Sequence, residues 1–358
     1  MHAVLSAKAK NNSMGPNSPI GTGPSSSEKK RKYDIITMGS ATVDVFAHTD
    51  ASQSETVMLH HHKDIAYPLG AKILINELNI FVGGGGTNSA VGFSRIGFKT
   101  AYLGKIGKDD NGKTISDCLF NENVEFIGSY GDISGYSVIL DSTESDRTIF
   151  TYKGCNDELS LNDIDFKNVD SKWIYLSSMM KESFDTEKKV AQYCSRKGIS
   201  IAYNPSLYTV KNGAGPILSL LKPVNILIFN KEESQALLST STDNIYTLLY
   251  QTSKLGPKIV VITDGKNGAH CYNSADETVY SILPKPVKIL ETTGAGDAFA
   301  CAFVSGIILG KGIELSLKMG MLNAESVIQY LGSKNILLGH DVISIAEHDN
   351  REIIKKKL

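Results

Sequence analysis

The feature that most restricts this chain is a glycine-rich segment followed by an apolar one. The segment runs from Glu291 to Asp297 and reads Glu-Thr-Thr-Gly-Ala-Gly-Asp. Residues 286–290 before it are strand-like, and residues 298–308 after it have the apolar pattern of a buried helix. We therefore predict a strand, a sharp turn and a helix that begins at the glycines.

A helix start of this kind can bind an anion. Its first backbone N–H groups lack intrahelical partners, and the helix dipole is positive there. Gly294 and Gly296 have no Cβ, so phosphate oxygens could approach the amides closely. Asp297 would then stand beside the anion as a proton acceptor, which phosphoryl transfer to an alcohol requires. In the alternative, Asp297 only complements the dipole, and one short motif does not decide between the two.

A second glycine-rich run, Gly83 to Gly86, lies far upstream, between the strand-like residues 80–82 and the helical pattern 87–96. It is not a P-loop, because no Gly-Lys-Ser/Thr follows, and it is a poor dinucleotide fingerprint, because Asn88 stands where a glycine is needed. The amide of Asn88 is both donor and acceptor, which suits a hydroxyl-rich ligand.

Together the two segments resemble the two signatures of the ribokinase-like, or phosphofructokinase-B type, carbohydrate kinase family. Gly83, Gly84 and Asn88 match its Gly-Gly-x-x-x-Asn, and residues 292–297 match its Asp-Thr-x-Gly-Ala-Gly-Asp after the first position. Further family landmarks follow in the expected order: Gly39 to Asp44, Gly107 to Gly112, Asn230 to Glu233, and Thr263 to Gly268. The first of these resembles the end of the family's first strand, whose aspartate, here Asp44, binds sugar hydroxyls. The resemblance covers about residues 33–335.

The resemblance implies an α/β fold, namely a three-layer αβα sandwich with a mostly parallel central sheet and a small β lid. Strand-like and helical runs alternate along the chain, as a parallel sheet covered by helices requires. The strand-like runs are 33–38, 100–106, 173–176, 199–203, 226–229 and 258–262, and the helical ones include 183–196, 231–238, 245–255 and 313–331.

Three segments are expected along the chain. Residues 1–32 read as a disordered tail, residues 33–335 as the kinase domain, and residues 336–358 as a C-terminal helical segment that ends in a solvated lysine run at 355–357. Residues 45–82 and 124–152 hold strand-like pieces without long helices, so we place the lid there. In the resembled family such a lid covers the sugar, excludes water and can mediate a homodimer.

The resemblance also implies an activity, the ATP-dependent phosphorylation of a primary hydroxyl of a sugar or sugar-like substrate. Asp297 would be the general base, and the amides of Gly294, Ala295 and Gly296 would form the anion hole. The substrate would lie between the residues Asp44, Gly84, Gly85 and Asn88.

The nucleotide and metal ligands follow from the same resemblance. Asn230 and Glu233 would organise Mg²⁺ and phosphate through water, although their spacing is also that of a helix capping box. Thr263 and Gly265 would lie on the nucleotide side. Asn323 would face the adenine, or else satisfy polar groups in the core.

Departures from the family affect the substrate and the cation. Gly85 stands where ribokinase has a lysine, and Met179 lies near a ribose-binding glutamate, so we do not expect ribose. A nucleoside with a free 5′-hydroxyl is an alternative acceptor, and a non-catalytic sugar or nucleoside sensor is an alternative of another class. Glu291 replaces the aspartate of the second signature, and with Thr293 it could hold K⁺.

Composition agrees with a small-molecule enzyme. The chain has 358 residues, 41% of them hydrophobic, which is enough for a large core. A net charge of −1 argues against a nucleic-acid partner. The absence of a long apolar run argues against a membrane partner, and we expect a cytoplasmic protein. Five scattered cysteines indicate free thiols.

Other residues have ordinary interpretations. Arg147 is expected to be an exposed strand residue, Gly332 a helix C-cap, and the histidine run at 60–62 part of a lid loop without a metal.

Overall fold

The computed structural model of the protein describes residues 31–49, 55–59, 62–141 and 147–358. Residues 1–30 of the predicted tail therefore lie outside the described residues, and so do His60 and His61. Arg31 Nη1 lies 3.0 Å from Asp170 Oδ1, and Lys32 Nζ lies 3.0 Å from Glu125 Oε1. Arg31 and Lys32, the last two residues of the predicted tail, thus contact the rest of the described chain.

The described strands are mostly short. In chain order they are β1 Tyr33–Met38, β2 Thr42–Thr49, β3 Glu55–Leu59, β4 His62–Ala66, β5 Ile75–Gly83, β6 Thr100–Leu103, β7 Lys105–Gly107, β8 Glu125–Phe126, β9 Ser129–Gly131, β10 Gly135–Asp141, β11 Arg147–Tyr152, β12 Ser171–Ser177, β13 Ser200–Asn204, β14 Ile226–Asn230, β15 Ile259–Thr263, β16 Ala269–Asn273, β17 Thr278–Ile282 and β18 Ile354–Lys357.

The α-helices of the described residues lie mainly between the strands of the largest sheet. They are α1 Gly85–Ile96, α2 Asp110–Asn121, α3 Lys181–Arg196, α4 Leu207–Val210, α5 Leu218–Leu221, α6 Lys231–Leu238, α7 Ile245–Ser253, α8 Ala295–Ile308, α9 Gly312–Val327 and α10 Asp341–His348.

The main sheet has the order β18-β17-β16-β15-β14-β13-β12-β1-β6-β8. The strands from β15 to β8 in this order are parallel. The strands β16, β17 and β18 continue the sheet as antiparallel neighbours. A mostly parallel sheet is therefore confirmed.

Both faces of the main sheet are covered, because successive side chains of a strand point to opposite sides. On β1, Ile35 belongs to an apolar core that includes Phe93 of α1, whereas its neighbour Ile36 belongs to a core that includes Val190 of α3. All four side chains are fully buried. The helices thus form a layer on each side, which confirms the three-layer αβα sandwich.

A second, four-stranded sheet has the order β11-β10-β2-β5. Its strands fall largely within the two segments where the lid is predicted. Asp44 lies on β2 of this sheet, opposite Phe81 of β5 and Ser137 of β10. The expectation that Asp44 ends the first strand is therefore wrong, since β1 ends at Met38 and a separate strand carries Asp44.

The strand predicted just before the late glycine-rich turn is also wrong. Residues 283–289 have no regular secondary structure. Pro284 and Pro286 have no backbone N–H to donate to a ladder. Between them, the N–H of Lys285 donates to Glu325 Oε1 over 2.7 Å.

The C-terminal segment is only partly helical. It contains α10, but the lysine run belongs to β18, which pairs with β17, so the predicted helix end is wrong. Arg351 binds Glu325 at 2.8 Å and Asp349 at 2.8 Å, and it directs the chain into this edge strand. Exposed lysines on an edge strand oppose pairing with another sheet.

Two expectations from composition concern cysteines and membranes. The five cysteines are free thiols, four of them buried. Across the described ranges, no helix has both the length and the apolar character needed to cross a membrane.

Glu187 on α3 is a buried acid whose side chain has no exposed surface. Within the described part of the chain, neither of its carboxyl oxygens has a hydrogen-bond partner. Burial raises the pKa of this carboxyl. The folded protein therefore keeps the proton to a higher pH than the unfolded chain, so Glu187 destabilises the fold increasingly as the pH rises between the two pKa values.

We predict that Glu187→Gln increases the free energy of unfolding at pH 8 by about 1 kcal/mol or more, since one pKa unit corresponds to about 1.4 kcal/mol. The gain should shrink towards pH 4, where the carboxyl is protonated in both states. Urea titrations at the two pH values measure this difference. Glu182→Gln, an exposed position of α3, is the control, and an equal effect of Glu187→Gln at both pH values would contradict the prediction.

Candidate active site

A cavity of about 350 Å³ lies where the parallel strands of the main sheet end. Both glycine-rich segments contribute to its wall, together with residues at the ends of β12 to β15. These residues include Gly85, Gly296, Asp297, Ser177, Asn204, Asn230 and Thr263. Open α/β sheets commonly bind ligands outside the carboxyl ends of their strands.

Close packing of α1 against α8 brings the two glycine-rich segments together. A Cβ on Gly92 of α1 would lie 2.4 Å from Cys301 Sγ of α8, so only glycine allows this approach. The two helices begin at Gly85 and Ala295. Their N-terminal ends therefore lie side by side at the cavity.

A hydrogen bond joins the two helix starts. Asn88 Nδ2 donates to Asp297 Oδ2 over 2.7 Å. The other oxygen, Asp297 Oδ1, lies 3.5 Å from the position that a Cβ on Gly85 would occupy. In the ranges that the structure describes, Oδ1 accepts no hydrogen bond, and this leaves it free to accept one from a ligand.

The surroundings of Asp297 favour its protonated form. Desolvation raises the pKa of this carboxyl, and the nearby Asp44 adds to the rise. The hydrogen bond from Asn88 and the positive charge of Lys334 act in the opposite direction. A carboxylate that holds its proton more strongly than in water is a better general base near neutral pH.

The start of α8 leaves fewer free amides than predicted. Gly294 adopts φ 83°, a left-handed conformation that favours glycine. The N–H of Ala295 donates to Thr292 O over 3.2 Å, so this amide is already paired, and its place in the anion hole stays a prediction. Over the described residues, the N–H groups of Gly296 and Asp297 have no acceptor, and they are the free donors of the first turn.

Asp44 is held against the first glycine-rich turn. Its Oδ1 accepts a hydrogen bond from Thr42 Oγ1 over 2.9 Å. A Cβ on Gly83 would lie only 1.8 Å from Asp44 Oδ2, so any larger residue at 83 would displace the carboxylate. Gly84 adopts φ 92° beside the carbonyl of Ser40.

Asn230 and Glu233 form the capping box that the spacing allowed. Asn230 Oδ1 accepts from the N–H of Glu233 over 2.8 Å, and Glu233 Oε2 accepts from the N–H of Asn230 over 2.8 Å. Both residues also line the cavity. Burial raises the pKa of Glu233, and the negative charges of Glu232 and Asp297 contribute.

The side chains of the cavity fit a metal ion whose ligands come mainly from a bound nucleotide. Within the described ranges, no group of three or more His, Cys, Asp or Glu residues could hold a metal by itself. Mg²⁺ keeps several waters and is commonly bound by phosphates with one or two carboxylates. The carboxylate of Glu233, one of three on the cavity wall with those of Asp157 and Asp297, fits this kind of site.

A protein-family comparison decides the family. The model of the pfkB family carbohydrate kinases matches residues 58–338, well over half of the chain. The chain belongs to the pfkB family of carbohydrate kinases. This membership confirms the predicted ATP-dependent carbohydrate kinase activity.

Individual relatives agree with the family. The kinase is 28% identical to an uncharacterized sugar kinase of Archaeoglobus fulgidus over 68% of this chain and 97% of the relative. It is 28% identical to 5-dehydro-2-deoxygluconokinase of Clostridium botulinum over 84% of this chain and 88% of the relative. The crystal structure of ribokinase from Thermotoga maritima superposes with a TM-score of 0.73 at 20% identity, over 88% of this chain and all of that one. This superposition confirms the ribokinase fold.

Asn323 of the kinase lies in the core. Its side chain is fully buried. Its Nδ2 donates to Ala298 O over 2.8 Å, and its Oδ1 accepts from the N–H of Leu338 over 2.8 Å. The amide therefore ties α9 to the first turn of α8, which supports the core role left open as the alternative, and contact with an adenine stays a prediction.

Four further residues complete the predicted set. Thr263 lines the cavity at the end of β15. Gly265 begins the next turn with φ 50° and open space around it. The N–H and Oγ1 of Thr293 both donate to Glu291 Oε1 over 2.8 Å, so K⁺ binding there stays a prediction.

Two further predictions concern Gly332 and Arg147. Gly332 does not cap α9, which ends five residues earlier at Val327, and a Cβ on Gly332 would meet the ring of Phe81 at 2.9 Å. Arg147 begins β11, but its side chain lies outside what the structure describes.

Sequence reasoning missed three residues of this kinase. Ser333 and Lys334 both donate to Asn88 Oδ1, and Lys153 lines the cavity. Lys334 lies 246 residues from Asn88 in the chain, so no local spacing could reveal the contact. The signal that remained unused was a lysine directly after Gly332 and Ser333 in a segment that is otherwise mostly apolar.

Proposed function

We propose that this kinase transfers the γ-phosphoryl group of ATP to a primary hydroxyl of a sugar or sugar-like acceptor, with Asp297 as the general base. The observation that supports this most strongly is the hydrogen bond from Asn88 to Asp297 Oδ2, because it leaves Oδ1 facing the cavity at a helix N-terminus. The acceptor hydroxyl donates its proton to Oδ1 as its oxygen attacks the phosphorus atom.

The start of α8 stabilises charge on the transferred group. The N–H groups of Gly294, Gly296 and Asp297 form an anion hole at the positive end of the helix dipole. Gly296 has open space where a Cβ would stand, so phosphate oxygens can come close. Ala295 shapes the turn and contributes no free amide.

The nucleotide lies towards the ends of β14 and β15. Thr263 and Gly265 would border it, and Asn230 and Glu233 would hold Mg²⁺ through water. When bound, Mg²⁺ reduces the repulsion between phosphate oxygens. The capping box holds Glu233 in place at the start of α6, so its structural and metal-binding roles coexist.

The acceptor is placed between Asp44 and the first glycine-rich turn. Asp44 and the second N–H of the Asn88 amide bind hydroxyl groups, and Gly84 and Gly85 leave room for the ring. Glu291 and Thr293 remain the candidate K⁺ ligands, and K⁺ is expected to affect turnover only by way of the adjacent anion hole.

We predict that Asp297→Asn lowers turnover by roughly 10²–10⁴, the usual contribution of a positioned base, while ATP binding measured by calorimetry stays near normal. Because the base must be ionised, wild-type turnover should fall as the pH drops through the raised pKa of Asp297. Asp341→Asn, at the start of α10 and outside the cavity lining, is the control. Near-normal turnover of Asp297→Asn would show that another group is the base.

A sugar acid is the acceptor class that one specific observation favours. Lys153 lines the cavity, and across the described ranges its ammonium has no ion-pair partner. It lies 5.9 Å from the centre of the Tyr208 ring. A carboxylate on the acceptor would neutralise this charge, and the relative from Clostridium botulinum bears the name of a kinase of such an acid.

An acceptor panel with ATP and Mg²⁺ tests this class. We expect ADP release with sugar acids to exceed release with neutral hexoses, pentoses and nucleosides, and Lys153→Met should raise KM for the acid roughly 10-fold or more. Lys211→Met is a matched control, since Lys211 lies 5.7 Å from the same Tyr208 ring but does not line the cavity. Preference for a nucleoside would support the alternative acceptor, and no ADP with any acceptor would support a non-catalytic sensor.

The second sheet is proposed to be the lid and to join two copies of the chain. Ile80 of β5 and Phe150 of β11 are about 60% exposed. They lie in one row across the sheet, through Val45 and Val138, and therefore share a face. Pairing this face with its copy would remove the exposed apolar side chains from water.

We predict that the wild type has twice the mass of one chain by light scattering and that the double variant Ile80→Lys, Phe150→Lys has the mass of one chain. The lysines place like charges in the proposed interface. Phe120→Lys, at an exposed apolar position of α2, should leave the mass unchanged. A monomeric wild type would rule the interface out.

A further inference from the structure

Lys334 is a buried cation directly behind the proposed base. Only 8% of its surface is exposed. Its ammonium donates to Asn88 Oδ1 over 2.5 Å and to Val82 O over 2.6 Å, and Ser333 Oγ donates to the same Asn88 oxygen over 2.9 Å. The side chain thus ties the segment after α9 to the end of β5 and to the first turn of α1.

These contacts determine which way the amide of Asn88 faces. An ammonium group has only donors, so the atom beside it must be the amide oxygen. A flipped amide would place its NH₂ group against both the ammonium and the Ser333 hydroxyl. Asn88 Nδ2 is therefore directed to Asp297 Oδ2, which fixes the carboxylate with Oδ1 towards the cavity.

The same ammonium is a charge that favours the ionised carboxylate. Burial lowers the pKa of Lys334 to about 8, and the surrounding acids oppose the loss of its proton. The titratable and charged groups that face Lys334 or Asp297 are Asp44 on β2, Cys118 on α2, Glu122 directly after α2, Tyr175 on β12, Glu233 on α6 and Cys301 on α8. Arg95 of α1 binds Glu122 and the carbonyl of Lys334.

We propose that Lys334 is a positioning residue for phosphoryl transfer. It holds the Asn88 amide in the one orientation that fixes Asp297, and its charge favours the ionised form of the Asp297 carboxylate in a desolvated site. This inference rests on the proposed role of Asp297 as the base. Lys334 also gives the kinase a positive charge near the proposed acceptor site. The first glycine-rich turn supplies no such charge, because Gly85 stands there in place of a lysine.

The test compares pH profiles of kcat for Lys334→Met, Lys334→Gln and Ser333→Ala with the wild type and with Asp297→Asn. Lys334→Met should lower kcat roughly 10–100-fold, the cost of a misplaced catalytic group, with little change in KM for ATP. Its acid limb should move to higher pH by about one unit, because the nearby positive charge is gone. Ser333→Ala removes a donor to the same oxygen without a charge, so its acid limb should stay in place.

The second lysine variant and a direct measurement of the Asp297 pKa separate a lost charge from a folding defect. Lys334→Gln removes the charge but keeps an amide donor, so it provides the same acid-limb shift if Lys334→Met does not fold. Carbon NMR of the Asp297 carboxyl measures its pKa without any turnover, and this pKa should rise in both lysine variants.

Three results would overturn the inference. If Asp297→Asn is inactive but both lysine variants match the wild type in kcat and acid limb, Lys334 has no positioning role while the proposed function stands. A lower kcat with an unmoved acid limb and an unchanged Asp297 pKa would indicate lost packing only. Full activity of Asp297→Asn would remove the base itself, and the inference with it.

Discussion

The site depends on one close helix contact and the hydrogen bond that it allows. Gly92 lets α1 approach Cys301 of α8, and four residues earlier on α1 the side chain of Asn88 reaches Asp297. Two turns that are more than two hundred residues apart in sequence thereby share one cavity. A bulkier side chain at 92 would separate the helices and with them the two halves of the site.

The electrostatics of the cavity favour catalysis at the expense of stability. Asp297 and Glu233 are acids whose pKa values rise on burial, and each carries a negative charge near the other. Such groups destabilise the free protein, but they suit the proposed binding of a magnesium nucleotide and the proposed removal of a proton. The charge of Lys334 opposes the rise in the pKa of Asp297, but burial lowers the pKa of Lys334 itself to about 8, so this lysine also destabilises the free protein.

The sequence predicted the parts of the fold and site that depend on neighbouring residues. The helix starts at Gly85 and Ala295, and the capping box of Asn230 and Glu233, follow from local spacing and backbone chemistry. The alternation of strands and helices likewise predicted the parallel sheet. The resemblance to the family also supported the order of the elements along the chain and predicted the second sheet as a lid.

The features that the sequence did not predict are set by distant partners. The lysine run at 355–357 forms a strand because β17 is available to pair with it, and Asn323 is buried because Ala298 and Leu338 surround it. Residues 286–290 have a strand-like composition. However, the prolines have no N–H to donate, and the N–H of Lys285 donates to Glu325, so the backbone hydrogen bonds of a strand do not form there. Lys334 was missed for the same reason, since its partner Asn88 is close only in the folded chain.

The most direct test of the central claim is a crystal structure of the kinase with an acceptor, Mg²⁺ and a non-hydrolysable ATP analogue. The quantity to measure is the distance from the acceptor's primary hydroxyl oxygen to Asp297 Oδ1. The account predicts a hydrogen bond of about 2.6–3.2 Å, with the terminal phosphate at the start of α8. A hydroxyl that is bonded to another group, with Asp297 turned away from it, would contradict the account.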